Sequence, residues 1–337
     1  MFKSVFGAGA LIVAMAGYAI ADEPVPVTID NFVRAATDIE FRKYLENSGG
    51  VNKLFHVAQP TPLDMQPTIR MNRDTLYSMA VIDLSEGAVL TVPDPGDRYV
   101  SAQVVNQDHY VNKVFHGGGT FEMTMEEFDT RYVAVLMRFL VDSEDPEDLA
   151  KVHALQQGMT LTAGGDGTFD APTYNKEQFE TLLQATLDVA RFSTSSARTF
   201  GPSDRVAPLR HFLGTAFGWG GLPEEEAYYL NVEPDLPVGA YRVVVPAGVP
   251  VDAFWSVSLY NAGGFFEKND LGAYSVNSVT GQPNDDGSMT VHFGACDDGR
   301  VNCLPIMEGW NFVVRYYQPD ASIIDGSWVF PEIEDLN

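Results

Sequence analysis

Short apolar runs divided by turn residues dominate this chain and commit most of it to β-architecture. Leu76 to Leu84, Val89 to Val92, Tyr99 to Val105 and Arg131 to Val141 are rich in β-branched and aromatic residues. Breaks such as Pro93-Asp94-Pro95-Gly96-Asp97 separate most of them, which suits a sandwich rather than alternating βα units. The rhythm returns from Tyr228 onward. Tyr241 to Val245, Phe254 to Tyr260, Ala273 to Val279, Met289 to Phe293, Phe312 to Tyr317 and Trp328 to Phe330 read as strands, with Asn284-Asp285-Asp286-Gly287 and Pro319-Asp320 among the turns. Six such strands fit a jelly roll or a related sandwich.

Helical spacing is confined to two places. Ile29, Phe32, Val33 and Ala36 mark a helix with Thr28 as its N-cap, ending near Tyr44 or Leu45 before Ser48-Gly49-Gly50. Past Asp145, Pro146 takes a first helical position and Leu149, Val152 and Leu155 follow at helical spacing. Gly164-Gly165-Asp166-Gly167 then turns into a second helix over Asn175 to Val189, with Phe179, Leu182, Leu183 and Leu187 on one face, and Val206 to Phe217 reads as a third. The expected fold is mainly β. An N-terminal β-sandwich with a leading helix covers residues 22–145, a helical module 146–222, and a C-terminal jelly-roll sandwich 223–337.

Met1 to Ala21 has the form of a signal peptide. Lys3 precedes an apolar run from Val5 to Met15, and Ala19-Ile20-Ala21 supplies a small-x-small cleavage pattern before Asp22. The run is too short to span a bilayer, so the expectation is a periplasmic or secreted protein without membrane insertion once the leader is gone. In such a compartment Cys296 and Cys303, flanking Asp297-Asp298-Gly299-Arg300, read as a local disulfide stapling a hairpin, contributing about 2 kcal/mol on the chain-entropy model. The formal charge of -25, from 46 acidic against 21 basic residues, repels phosphates and anionic lipid, so nucleic acid is not an expected partner.

Two blocks carry a family resemblance. Arg70-Met71-Asn72-Arg73-Asp74-Thr75-Leu76-Tyr77-Ser78, with Asp83-Leu84, Val92-Pro93-Asp94 and Arg98-Tyr99, resembles the bacterial domain of unknown function numbered 1254. Phe254-Trp255-Ser256-Val257-Ser258-Leu259-Tyr260-Asn261 resembles its usual companion, numbered 1214, together with Asn269, Tyr274-Ser275, Asp286-Gly287-Ser288, Leu304-Pro305, Arg315-Tyr316-Tyr317 and Trp328. The resemblance implies an N-terminal β-sandwich, a helical insertion and a C-terminal jelly roll. It implies no agreed activity and no catalytic residues. Where many relatives carry further segments after the region matching Asp108 to Asn112, this chain passes through Gly117-Gly118-Gly119 into Met125 to Val141.

Candidate chemistry begins with the first block. Arg70 and Arg73 would bind an anion, Asp74 would orient it or act as base, and Tyr77 would donate a proton. The competing reading is a buried Arg–Asp pair locking a strand entry, with Tyr77 in the core. Arg315 joins the set because a charge inside a strand needs a partner, and one across an inter-domain cleft would serve. Asp108 and His109 are adjacent, so on a strand they point to opposite faces; that weakens a dyad and makes His109 a loop or surface residue. His116-Gly117-Gly118-Gly119 has the form of an esterase oxyanion loop, but no Gly-x-Ser-x-Gly accompanies it, leaving a flexible Gly loop. The six histidines are scattered without metal-site spacing, and no nucleotide, flavin or haem signature occurs, so neither metal nor cofactor is expected. Of the aromatic residues Trp255, Tyr260, Tyr274, Trp310, Tyr316, Tyr317 and Trp328, most read as core. Alternation puts Trp255 with Leu259 on one face and Phe254 with Tyr260 on the other. The leading expectation is a small-molecule site between the β-domains, for binding or for acid–base or hydrolytic chemistry on a polar organic or carbohydrate-like ligand. Its residues are Arg70, Arg73, Asp74, Tyr77 and Arg315. The rival is a non-catalytic jelly-roll module for self-assembly, as a homo-oligomer, or for cell-surface interaction.

Overall fold

The computed structural model describes residues 23–66, 69–193 and 195–336. The expected leader, Met1 to Ala21, lies outside them. Helix α1 (Phe32–Ser48) starts later than its apolar spacing implies. Asn31 occupies the cap position without capping the helix, and its side chain instead accepts the Thr28 amide, so Thr28 is not the N-cap. The chain then builds β1 (Phe55–Val57), β2 (Thr75–Asp83), β3 (Ala88–Val92), β4 (Val100–Asn106), β5 (Val111–His116) and β6 (Gly119–Met123). A single turn, α2 (Met125–Phe128), leads to β7 (Tyr132–Leu140), α3 (Pro146–Gln157) and β8 (Thr160–Ala163).

These strands form a sandwich. One sheet runs β1-β2-β7-β4-β5 and the other β6-β3-β8. Between them pack Leu76, Ile82, Leu90, Val104, Val135 and Phe139, all essentially without solvent contact. Strand β8 is absent from the sequence expectation. Thr-Leu-Thr-Ala is too short to carry a clear alternation, and its pairing with β3 is a long-range contact that local propensity does not encode.

The opposite face of the five-stranded sheet is covered by helices. Asn175 caps α4 (Lys176–Ala190) by accepting the Gln178 amide, and Pro208 opens α5 (Pro208–Phe217). Phe32 of α1 packs with Phe179 of α4 and Phe212 of α5, while Phe41 and Trp219 close over Val81, Val105 and Leu136.

The C-terminal part is a jelly-roll sandwich of two four-stranded sheets. Its strands are β9 (Ala227–Val232), β10 (Tyr241–Val245), β11 (Trp255–Tyr260), β12 (Ser275–Asn277), β13 (Met289–Phe293), β14 (Cys303–Leu304), β15 (Asn311–Tyr317) and, after the short α6 (Ala321–Ile324), β16 (Glu334–Asp335). One sheet is ordered β12-β11-β15-β9 and the other β14-β13-β10-β16. Trp328 to Phe330 is not a strand: Trp328 packs its ring on Tyr316 and Phe330 enters the core, so their apolar character serves packing. Cys296 and Cys303 are bonded, but the loop between them is no hairpin. It returns β14 parallel to β13, with His292 opposite Cys303.

Candidate functional site

Alternation along β15 and β11 decides what faces the N-terminal sandwich. Phe312, Val314 and Tyr316, with Trp255, Val257 and Leu259, enter the C-terminal core. Arg315, Tyr317, Ser256, Ser258 and Tyr260 therefore lie on the other side, where the segment entering β2 meets them. Arg315 is 3% exposed and donates to Ser258 Oγ (2.8 Å), to Tyr260 Oη (2.8 Å) and to the carbonyls of Arg70 (2.8 Å) and Met71 (3.2 Å). Tyr260 Oη in turn donates to the Met71 carbonyl at 2.6 Å. The Asp74 carboxylate, 1% exposed, accepts from Ser256 Oγ (2.6 Å) and Ser275 Oγ (2.9 Å).

Four of the five residues expected from the sequence thus converge, and each is engaged. Arg70, in a left-handed conformation, pairs with Glu233 at 2.9 Å beside an open cleft of about 800 Å³. Arg73 donates to the Thr61 carbonyl and lies 4.9 Å from the Tyr274 ring centroid. With Asp74 and Arg315 they form a polar latch between the two sandwiches, in which Asp74 and Arg315 are hydrogen-bonded while Nε of Arg70 and of Arg73 is buried without a hydrogen-bond partner among the described residues.

Tyr77 points elsewhere. On β2 it lies opposite Arg138 of β7, and Ser101 of β4 lies opposite Arg138 from the other side. Arg138, 8% exposed, sits where three parts meet: the five-stranded sheet, the outer face of β9 and β15, and the loop after α5. It donates to Gln103 Oε1 (2.8 Å) and weakly to the Gly220 carbonyl (3.3 Å), and its guanidinium is 5.7 Å from the Tyr77 ring centroid. The charged or ionisable groups acting on it most strongly are the phenols of Tyr77, Tyr229, Tyr99 and Tyr317. Among the described residues it forms no ion pair.

The surrounding hydroxyls are short of acceptors. Asn72 Nδ2 donates to Tyr317 Oη (2.9 Å) and, at 3.4 Å, to Tyr77 Oη. Tyr99 Oη faces Ser101 Oγ, yet neither makes a well-formed hydrogen bond. Burial pushes the Tyr99 phenol up to about 12 and raises those of Tyr229 and Tyr317, so all three stay protonated at neutral pH. Tyr44, Tyr77, Trp219 and Tyr229 are half-buried. A cleft of about 220 Å³, lined in part by Arg98, Tyr99, His116 and Phe254, opens beside Tyr99.

Arg138 went unsingled in the sequence, although the signal that marked Arg315, a charge inside an apolar strand, applies equally to Tyr132–Leu140. His109, expected as a loop or surface residue, lies in the loop between β4 and β5, but the surface is a correction: it is fully buried. It takes a left-handed turn conformation and stacks between His211 and Trp219. Its Nε2 accepts the Gly220 amide (2.9 Å) and its Nδ1 meets Thr215 Oγ1 (2.8 Å), which fixes the loop whose carbonyls hold Arg138 and Gln103. Asp108 turns away to Arg34, at 2.7 Å. His116 pairs with Glu226 at 2.9 Å on the rim of the smaller cleft. Among the described residues no group of three or more His, Cys, Asp or Glu side chains is placed to hold a metal ion, and no helix is long and apolar enough to cross a membrane.

No curated protein matches the chain. Among solved structures, the VPA0106 protein of Vibrio parahaemolyticus aligns with a TM-score of 0.69 at 21% identity, over 92% of this chain and 100% of that one. An uncharacterised protein from Burkholderia cenocepacia aligns with a TM-score of 0.51 at 16% identity, over 91% and 87% of the two chains. Both likenesses concern the fold. Residues 51–122 match the family described as "Protein of unknown function (DUF1254)" and residues 226–321 match "Protein of unknown function (DUF1214)". The chain belongs to the proteins that join these two domains, the first N-terminal to the second.

Proposed function

We propose that the protein is exported and binds a small organic molecule where the two β-domains and the loop after α5 meet around Arg138. The leader pattern of Met1 to Ala21 and the Cys296–Cys303 disulfide support export. One observation carries the binding reading. Arg138 is a buried guanidinium without a carboxylate partner, ringed by phenols from both β-domains. A structural arginine in such a place normally finds an acidic partner, because an uncompensated buried charge is costly. Arg315, the other buried guanidinium of this interface, is by contrast met by two hydroxyls and two carbonyls, with Asp74 within electrostatic reach.

Binding fits the geometry better than acid–base catalysis. The phenols of Tyr99, Tyr229 and Tyr317 are held above their ordinary range, far from the near-neutral values that proton transfer favours. Native mass spectrometry on the exported, disulfide-intact protein, followed by denaturing extraction, tests the reading. A small molecule retained by the wild-type protein and lost from a folded Tyr229→Trp variant is the expected result. A clean apo mass for both, with no small molecule in the extract, would count against it.

A further inference from the structure

Resting on that site, we infer that its ligand is a small organic monocarboxylate, seated with its carboxylate against Arg138 and its organic body among the tyrosine and tryptophan rings.

The hydrogen-bond inventory gives the sign of the ligand. A guanidinium offers five N–H donors and no acceptor. Arg138 commits two hydrogen bonds within the protein, one of them long. Around it, Tyr77 and Tyr317 use their oxygens to accept from Asn72, which leaves their hydroxyl hydrogens to donate. Tyr99 Oη has no well-formed partner, and Tyr229 is brought within electrostatic reach of Arg138 without a hydrogen bond from its hydroxyl among the described residues. The acceptors that Arg138 does reach, Gln103 Oε1 and the Gly220 carbonyl, carry no charge. What Arg138 lacks is a hydrogen-bonded acceptor carrying negative charge.

Charge balance gives the class. With the phenols protonated, the charge on Arg138 and the groups that contact it is that of one guanidinium; Arg315 and Asp74, of opposite sign, reach Tyr317, and Glu226, paired with His116, reaches Tyr99. A monoanion neutralises that guanidinium. A phosphate dianion would leave an excess negative charge near Glu226, which already acts on Tyr99, and near Asp74, which acts on Tyr317. The planar fork of arginine matches a carboxylate with two parallel hydrogen bonds. The rings give the rest of the ligand. Tyr44, Tyr77, Trp219 and Tyr229 are half-buried residues around the junction, an aromatic surrounding that suits an aliphatic or aromatic body rather than a bare inorganic ion.

The test uses the full exported chain, freed of any retained small molecule by dialysis from partial denaturant, in a buffer without carboxylates or phosphate. Acetate, butyrate, octanoate, benzoate and phenylacetate are each titrated calorimetrically against their primary amides. The expected result is one-to-one binding of at least one acid, about tenfold or more tighter than its amide. Binding should be lost in Arg138→Gln and weakened about fivefold or more in Tyr229→Phe, which removes a donor while keeping the ring. Should Arg138→Gln fail to fold, the Tyr229→Phe and acid-versus-amide comparisons decide alone. Acids and amides binding equally, with both lost in Tyr229→Trp, would overturn the carboxylate and leave the site standing. Binding of none of these probes, together with a clean apo mass, would overturn both. Inorganic phosphate competing with the acids at equal concentration would also overturn the monocarboxylate.

Discussion

The residue with the sharpest measurable consequence is His109. Its Nε2 accepts a backbone N–H, so the neutral ring carries its proton on Nδ1, toward Thr215. Burial first, and the neighbouring His211 second, hold its pKa well below the ordinary value. An unfolded chain would protonate this ring near pH 6.5, whereas the folded one resists. Stability from this group is therefore complete above about pH 6.5 and is lost as the pH falls from there toward the folded value, approaching about 1.4 kcal/mol per pH unit. Burial lowers His56, His211 and His292 in the same direction. Urea unfolding midpoints should fall steeply between about pH 6.5 and pH 5. In His109→Asn, which tolerates the left-handed backbone, stability at pH 7.5 should drop by about 1–3 kcal/mol and the acid slope should flatten. An unchanged slope in that variant would mean another group drives it. The burial was not legible beforehand. Adjacency argued against a dyad with Asp108 and for a loop or surface histidine; the loop is there, but the chain turns at His109, carrying its ring inward and sending Asp108 to another part of the molecule.

At the scale of elements, the latch between β11, β15 and the entry to β2 couples two sandwiches that each have their own core. Asp74 is its centre, taking two hydroxyl donors and lying within electrostatic reach of buried Arg315. Asp74→Ala removes the acceptor for both serines and leaves Arg315 with less compensation, a loss of about 3–5 kcal/mol if the buried charge goes unpaired. Because the damage falls between units, the variant should unfold in two separated denaturant steps where the wild type shows one. A single step shifted to lower urea would mean that the hydrophobic contacts of Tyr99, Phe254 and Tyr317 suffice to join the units. The residues of this latch were visible in the sequence as charges at strand starts and inside β15. Their engagement was not, since Ser256 and Ser275 lie 182 and 201 residues from Asp74 and only strand alternation turns them toward it. The long strands were readable from alternation and turns. The two-residue β16 and four-residue β8 were not, because pairing rather than propensity makes them strands.

For the whole molecule, a charge of -25 surrounds the buried guanidiniums of Arg315, engaged in the latch, and of Arg138. An organic monoanion approaching from solvent meets a repulsive field over most of the surface and an attractive contact only at the end. Salt separates the two. Raising ionic strength from about 0.01 M to about 0.15 M shortens the Debye length from about 30 Å to about 8 Å, which removes the distant repulsion and leaves the desolvated Arg138 contact nearly untouched. The association rate of a binding carboxylate should therefore rise, by about threefold, with the dissociation rate nearly constant. This is opposite in sign to an anion held by exposed surface cations, whose affinity falls as salt screens them. Stopped-flow tryptophan fluorescence provides the measurement, since Trp219 stacks on His109 beside the Gly220 loop. An association rate that falls with salt would place the anion on the surface, with the Arg70–Glu233 cleft the first place to look.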